Sequence, residues 1–451
     1  MKLVLFSGIL AIIAFLPFKF SYIFAFFCLV PFFIFLEKES KFWRLLWGTF
    51  TFRLIMWLGT VYYTLEPIFW ISSLLIFCGL APTVFLIKKF KMPSWAFFTA
   101  LTAIWTIWDL LEANFSLLPT YTITLGNTLG SSPFAGLASI GGLTTLILFA
   151  AATNSLISIA ITTKNQSKKS IAITLIILFI IFADALAISK FLLQKNAGDY
   201  AKLENSLKII AVSADDKFNI NDFNNLKRIF KNRNADLIIL PEDLLNGSVE
   251  ADFYGNFANE LKISTATTLT VQTQGGRRNS TLLFNQDGEI YDFRDKNRLT
   301  FIGEYWPFGD WRPAIFERLR EKNPQYDDYV IFNPQNPYLK GEKKIFSLKA
   351  KNGDVINFAS LICLEAHFPA DLKKYKTMGA KFIINPSSNR WLGGIGKNHF
   401  LYLINNLKKI NSVWLKIPIV SSGVDDIAGI TTPDGKTAQQ KMGIFEGEIR
   451  Y

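Results

Sequence analysis

Two patterns of apolar residues divide this chain. Before about position 195 they come in long, nearly unbroken runs, near 3–18, 20–36, 44–63, 66–87, 94–112, 133–162 and 170–193. Several reach the roughly 20 residues that an α-helix needs to cross the hydrocarbon core of a bilayer, so the pattern predicts about seven spanning helices within residues 1–194. The first two runs, separated only by Pro17-Phe-Lys19-Phe, also read as one long element or as a cleaved leader, but no small-residue cleavage site follows them and further spans do.

Beyond a polar stretch at 195–206, expected to be a linker, the apolar runs shorten and alternate with amphipathic segments. Leu207–Ser213, Asp236–Pro241 and Thr267–Thr273 predict short buried strands, and Asp222–Asn234 predicts a helix with Phe223, Leu226, Ile229 and Phe230 on one face. Asn279–Phe284 and Ile290–Phe293 flank Asn285-Gln-Asp-Gly288, a turn signature that predicts a hairpin. Phe358–Glu365 reads as a buried strand delivering a thiol to a turn, Pro369–Met378 as a helix, Lys381–Pro386 as a strand and Lys397–Asn411 as a helix, with further strands around Thr432-Pro-Asp-Gly435. Strands alternating with helices and hairpins predict an α/β domain over 207–451, long enough to bury a sizeable core.

Charge adds an orientation. The chain carries 48 Lys and Arg against 36 Asp and Glu, a formal net charge of +12. Lys38, Lys41 and Arg44 follow the second run, Lys88, Lys89 and Lys91 the fourth, and Lys164, Lys168 and Lys169 the sixth, whereas 62–67 and 114–133 carry almost no basic charge. Basic loops stay in the cytoplasm, so the N-terminus is expected inside and, after an odd number of spans, the α/β domain on the periplasmic side of a bacterial inner membrane. The basic balance then needs no nucleic acid as partner, and no DNA- or RNA-binding motif is present. A bilayer with anionic headgroups accommodates it.

Of the three cysteines, Cys28 and Cys78 fall within predicted spans, where a thiol serves as a small apolar filler. Cys363 then has no disulfide partner and is either buried and inert or kept for its nucleophilicity. Two strand ends bear on that choice. Glu242 ends Leu-Ile-Ile-Leu-Pro-Glu, and is either a surface turn residue or a carboxylate held at the rim of a sheet, where apolar neighbours would raise its pKa and fit it to take a proton from a thiol. Lys296 leaves the hairpin in Arg294-Asp-Lys-Asn-Arg298, and is either a solvated lysine or a fixed positive charge for a thiolate and an oxyanion. Glu304 follows in Phe301-Ile-Gly-Glu-Tyr-Trp-Pro-Phe-Gly309, a loop whose aromatics either cover a site, touch lipid, or pack Trp306 and Phe308 into a core. The two histidines, His367 and His399, are too few and too far apart in sequence for a metal site.

Leu-Pro-Glu242, Asp-Lys296 with Gly-Glu-Tyr305 beyond it, and Ile-Cys363-Leu-Glu365 together resemble the Glu-Lys-Cys signature of the nitrilase, or carbon–nitrogen hydrolase, superfamily. Behind a multi-span domain, the arrangement is similar to that of the apolipoprotein N-acyltransferase family. The resemblance implies an αββα sandwich with Glu242 as general base, Lys296 as oxyanion-stabilising lysine and Cys363 as nucleophile. It also implies supporting roles for Glu304 and Glu365, for Asn279 before the hairpin, and for Trp391 in a loop beside the pocket. A phospholipid acyl donor, a diacylglyceryl-cysteine lipoprotein acceptor and a thioester intermediate follow from it, with no metal or organic cofactor.

Departures from the family pattern are visible. Leu364 stands where an aromatic residue usually follows the cysteine, Val212-Ser-Ala-Asp-Asp-Lys217 replaces a Gln-Gly-Asn-Ile run, and Ser387-Ser-Asn-Arg-Trp-Leu replaces Ser-Asn-Asp-Ala-Trp-Phe. The family's last spanning helix is expected to be missing after Tyr451. The acceptor thus stays open between a lipoprotein, the substrate of a membrane-tethered amidase or of a conjugation-associated relative, and a lipid or lipoprotein held by an inactive binding module.

Overall fold

The computed structural model describes residues 1–60, 67–116, 120–162, 168–245, 250–322, 329–331, 333–390 and 396–451. Two compact units emerge. One gathers Met1–Asp199 with Leu392–Lys416 and Thr432–Lys436; the other gathers Tyr200–Trp391 with Ile417–Thr431 and Thr437–Tyr451. This division is not a single cut along the chain, because two segments late in the sequence cluster with the N-terminal helices.

The first unit is helical, with α1 (Lys2–Phe15), α2 (Val30–Lys38), α3 (Phe42–Thr60), α4 (Pro67–Cys78), α5 (Leu80–Lys88), α6 (Ser94–Phe115), α7 (Ala138–Gly141), α8 (Leu143–Thr162) and α9 (Lys168–Ala201). Among the described residues, five segments are long and apolar enough to cross a membrane: Ser21–Lys38, Ile71–Lys88, Ser94–Phe115, Leu143–Thr162 and Ile173–Ala201. Helix α1 is shorter, at 14 residues, and α3 carries Arg44 and Arg53 within its 19 residues. Helix α9 runs for 34 residues; at about 1.5 Å per residue it is longer than the ~30 Å hydrocarbon core. It continues as helix through the stretch expected to be a linker, leaving only 202–205 before the first strand.

A charged cluster lies deep among these apolar helices. The Arg53 guanidinium is fully buried, 3.6 Å from Asp109, and is paired with Glu112. Trp57 Nε1 and the Ser73 hydroxyl donate to the same Glu112 oxygen, and the Leu125 N–H donates to Asp109 at 3.0 Å. One arginine thus joins α3, α4, α6 and the short helical turn Leu125–Ser131.

The second unit is built on a sheet. In chain order its elements are β1 (Ser206–Ala214), α10 (Ile220–Phe230), β2 (Leu237–Glu242), α11 (Ala251–Leu261), β3 (Ser264–Thr273), β4 (Gly276–Phe284), β5 (Ile290–Asp295), α12 (Ala314–Lys322), β6 (Phe346–Lys349), β7 (Val355–Ser360), α13 (Pro369–Thr377) and β8 (Phe382–Ser388). Helix α14 (Lys397–Leu415), which belongs to the first unit, intervenes before β9 (Ile419–Val424), β10 (Ile427–Thr431), β11 (Thr437–Lys441) and β12 (Gly443–Arg450). The twelve strands form one sheet with the path β5-β4-β3-β2-β1-β9-β8-β7-β6, β10 pairing β9 and β11, and β12 pairing β1.

Alternation along the strands makes two cores. Ile210, Val212, Ile238 and Leu240 face outward onto Phe223, Leu226 and Phe230 of α10 and Tyr254, Phe257 and Ala258 of α11. Their neighbours Leu207, Ile209, Ala211, Leu237 and Ile239 share a second core with Phe346, Phe358, Phe382, Val420 and Ile430 from the opposite half of the sheet. The sheet therefore folds over on itself as a nearly closed sandwich, with Phe346, Phe358 and Phe382 stacked at 5.0–5.1 Å along its inner face. Ile229, expected on the buried face of α10, is exposed instead, because that helix presents only a 223/226/230 stripe.

Helix α14 is tied into the helical unit by polar contacts. Leu403 O accepts from Asn127 Nδ2 at 2.9 Å, Tyr402 shares a hydrogen bond with Ser131, and the His399 ring lies 2.8 Å from Phe15 O.

Removing the charge of Arg53 leaves two carboxylates buried without their cation. Arg53→Met is expected to destabilise the helical unit by about 3–5 kcal/mol, read as a lower unfolding midpoint in detergent. The exposed-site control Leu148→Ala should leave the midpoint unchanged.

Candidate active site

Three strand ends and one turn of the second unit meet around an ammonium group. Strand β2 pairs with β3 in parallel register from Leu237 and Ser264 to Ile239 and Ala266, then slips so that Glu242 lies opposite Thr268. The slip brackets Pro241, which has no N–H for the ladder, and such a bulge re-aims the side chain that follows it. Asp243 then turns the chain sharply, at φ +49°.

The β4–β5 hairpin supplies two more groups. Its last paired residues are Ser280 and Asp295, and the Lys296 N–H extends the ladder to Asn279 O at 2.7 Å. Cross-strand pairing alone therefore makes Asn279 and Lys296 neighbours. Glu304 comes from a tight loop in which both its N–H and that of Tyr305 donate to Thr300 O, at 2.8 and 3.0 Å. The Glu304 carboxylate closes that loop by accepting from the Thr300 N–H at 2.7 Å.

Lys296 is 2% exposed, and its Nζ lies 2.9 Å from Glu304 and 3.7 Å from Glu242 Oε1. Asn279 Nδ2 donates to one oxygen of each carboxylate, both at 2.8 Å. The Ser388 N–H, at the end of β8, donates to the other Glu242 oxygen at 3.0 Å. Burial alone would lower the Lys296 pKa, but Glu304, Glu242 and Cys363 hold it above its ordinary value, so the ammonium stays charged. Burial raises the Glu242 pKa, against Lys296, which lowers it, and with Glu304, whose like charge raises it further.

Cys363 stands against this group. Strand β7 ends at Ser360, three residues before the cysteine, so the expected strand runs short and Cys363 instead opens a helical turn, Cys363–His367, at φ +49°. A non-glycine residue in that region stores roughly 1–3 kcal/mol of strain and persists only where its surroundings impose it. The half-buried thiol shares the electrostatic surroundings of Glu242, Lys296 and Glu304. Burial first, then the Glu242 carboxylate, push its pKa up, while Lys296 opposes them, so at neutral pH it rests as a thiol beside a base.

Glu365 is brought near but plays a different part. It pairs with both terminal nitrogens of Arg294, at 2.7 and 2.8 Å, and accepts the N–H groups of Asn297, Arg298 and Ile362 at 2.7, 3.1 and 2.9 Å. The same guanidinium donates to Ser360 O at 2.6 Å. This pair fastens the segment bearing Lys296 to the turn bearing Cys363. Sequence reasoning overlooked Arg294, although the two-residue period of a strand puts it on the face of Lys296. It also overlooked Ser388, which acts through its backbone and leaves no side-chain signal. Trp391 lies outside the described residues.

The loop after Lys296 divides its aromatics. Phe301 and Trp306 are buried, Trp306 stacking on Trp311 at 6.2 Å and meeting Phe308 edge-on at 5.0 Å, while Tyr305, Phe308 and Trp311 are exposed. Among the described residues no cluster of three or more His, Cys, Asp or Glu side chains forms a metal site. The centre thus holds a thiol, a carboxylate of raised pKa and a buried ammonium, groups able to carry nucleophilic chemistry through a covalent intermediate.

Two family models match this chain: that of the apolipoprotein N-acyltransferase N-terminal domain over residues 7–156, and that of the carbon-nitrogen hydrolases over residues 202–408. Apolipoprotein N-acyltransferase 2 of Treponema denticola is 27% identical over 177 residues, 38% of this chain and 30% of that protein's length. Apolipoprotein N-acyltransferase of Haemophilus influenzae is 25% identical over 405 residues, 85% of this chain and 73% of that protein. A solved amidase from Nesterenkonia sp. aligns over 55% of this chain and 89% of its own at 14% identity, with a TM-score of 0.38.

Burial raises the Glu365 pKa, but Arg294 and the Ile362 N–H outweigh it and hold the carboxyl below its ordinary 4.5. Its contribution to stability is therefore complete above about 4.5 and is lost as pH falls through the lower folded-state value. Glu365→Gln should destabilise the protein at neutral pH and flatten the acid side of its stability profile, followed by denaturation between pH 7 and pH 3. An unchanged slope would mean that the ion pair does not hold the turn.

Proposed function

Because this chain is an apolipoprotein N-acyltransferase-like member of the nitrilase superfamily, we propose that it moves an acyl chain from a membrane phospholipid, through a thioester on Cys363, to the α-amino group of a diacylglyceryl-cysteine lipoprotein. The observation that carries this reading is the buried Lys296 ammonium held between Glu242 and Glu304, with the Cys363 thiol in the same electrostatic surroundings.

In the first half-reaction Glu242 takes the thiol proton and the thiolate attacks the ester carbonyl of the donor. Lys296 and a backbone N–H stabilise the tetrahedral oxyanion. The carbon–oxygen bond breaks, the departing lysophospholipid oxygen takes the proton back from Glu242, and the acyl group stays on sulfur. In the second, the lipoprotein amine attacks the thioester, Glu242 receives a proton from the nitrogen, the carbon–sulfur bond breaks as the amide forms, and Glu242 returns that proton to the sulfur. Asn279 keeps Glu242 and Glu304 apart and aimed, and Glu304 supplies the charge that Lys296 requires.

The helical unit suits substrates that are themselves anchored in lipid. Its five membrane-length segments and its bacterial relatives support a bacterial membrane protein. The basic loops expected between spans support an N-terminus inside the cell and a catalytic unit at the outer leaflet of the inner membrane, with seven spans in all. Exposed Tyr305, Phe308 and Trp311 are of the kind that lie at a headgroup interface.

An alkyne-tagged phospholipid supplied to the outer leaflet of right-side-out spheroplasts should label the wild-type protein through a bond cleaved by neutral hydroxylamine, and should not label Cys363→Ala. Equal labelling of the two would exclude the thioester. Labelling only after the membrane is opened would reverse the orientation, and resolution of the adduct to free fatty acid in the presence of a diacylglyceryl peptide would favour the amidase reading.

A further inference from the structure

The segment that leaves β8 grips the base-bearing strand twice. Ser388 reaches the Glu242 carboxylate through its N–H, and two residues on, Arg390 reaches the backbone just beyond Glu242. Its Nη1 donates to Asp243 O at 2.6 Å and its Nη2 to Leu244 O at 2.9 Å, while the Asp243 carboxylate lies 3.9 Å from Nη1. Asp243 is the left-handed residue that turns the chain away from the base, and its own N–H is taken by Thr268 O at 2.9 Å. The Asn389 N–H donates to Val424 O at 2.9 Å, so the gripping segment is itself fastened to β9.

Carbonyls beyond a strand end have no ladder partner unless one is supplied, and a planar guanidinium can hold two of them at a fixed spacing where an ammonium holds one. We infer that Arg390 is a positioning residue: by clamping the Asp243 and Leu244 carbonyls it fixes the backbone from which Glu242 projects, and so holds that carboxylate against the Cys363 thiol. This rests on the reading of Glu242 as the general base. Arg390 touches none of the reacting groups, and it acts through the strand end that carries one of them. The bulge at Pro241 shifts the register just before Glu242, which lies opposite Thr268 at the end of the strand, so the clamp on Asp243 and Leu244 acts directly beyond the last pair.

The test is a double-mutant cycle read with 4-nitrophenyl butyrate, whose burst of nitrophenolate reports acylation of Cys363 in the full-length protein in detergent. Glu242→Gln should slow the burst. Arg390→Ala should slow it by about 100-fold, the scale of a misplacement of roughly 1 Å, with the half-saturating ester concentration unchanged. Arg390→Lys should fall between Arg390→Ala and wild type. The double variant Arg390→Ala/Glu242→Gln should be no slower than Glu242→Gln alone, because a residue that acts through the base has nothing left to position. Losses that multiply, or a wild-type burst from Arg390→Ala, would overturn the positioning role while leaving the base in place. A wild-type burst from Glu242→Gln would overturn the base itself, which is a separate result. Should Arg390→Ala fail to fold, Arg390→Lys completes the same cycle.

Discussion

A lysine ammonium buried beside a thiol is the constraint around which the second unit is organised. Lys296 is all but removed from water, and a charge in that position is tolerated only with opposite charge and hydrogen-bond partners close by. Glu304 supplies the nearer charge and Glu242 the farther. Two carboxylates against one ammonium leave a surplus of negative charge, and that surplus, with burial, raises the pKa of Glu242. Burial and the partners that the lysine needs thereby make the Glu242 carboxylate more basic.

The same rule operates among the apolar helices. Arg53 is buried against Asp109 and Glu112, with Trp57 and Ser73 completing the coordination. There the charges join helices, whereas around Lys296 they lie beside the Cys363 thiol. Arg294 and Glu365 form an intermediate case: held by each other and by backbone groups, they tie the segment bearing Lys296 to the turn bearing Cys363. Buried ion pairs in this molecule are best understood as joints between segments that contribute different parts of one device.

Much of this was legible in the residues, for physical reasons. Strands β1, β2, β4, β5 and β8 announced themselves by short apolar runs, and Asn285-Gln-Asp-Gly288 announced the hairpin that makes Asn279 and Lys296 neighbours. Glu242 and Cys363 stood out as polar residues at the ends of apolar runs. Other features had no such signal. Helix α11 carries Gly255 in its middle, where the glycine passes close to Gly288 O and so reads as a flaw in the pattern. Helix α14 has the amphipathic pattern of any α/β helix, and nothing in its periodicity separates it from the sheet domain in which the sequence places it. The grip of Ser388 is a backbone interaction and invisible to side-chain reasoning, and Arg390 looked like a departure from a family pattern when it is a ligand for two carbonyls.

The Cys363 thiol shares one electrostatic environment with Glu242 and Lys296. In a Cys28→Ala/Cys78→Ala background, the rate at which iodoacetamide alkylates Cys363 can be followed against pH by peptide mass spectrometry, with and without Lys296→Met. The thiol should titrate above its ordinary range, and higher still once the ammonium is removed. An ordinary thiol titration, unmoved by Lys296→Met, would contradict that shared environment.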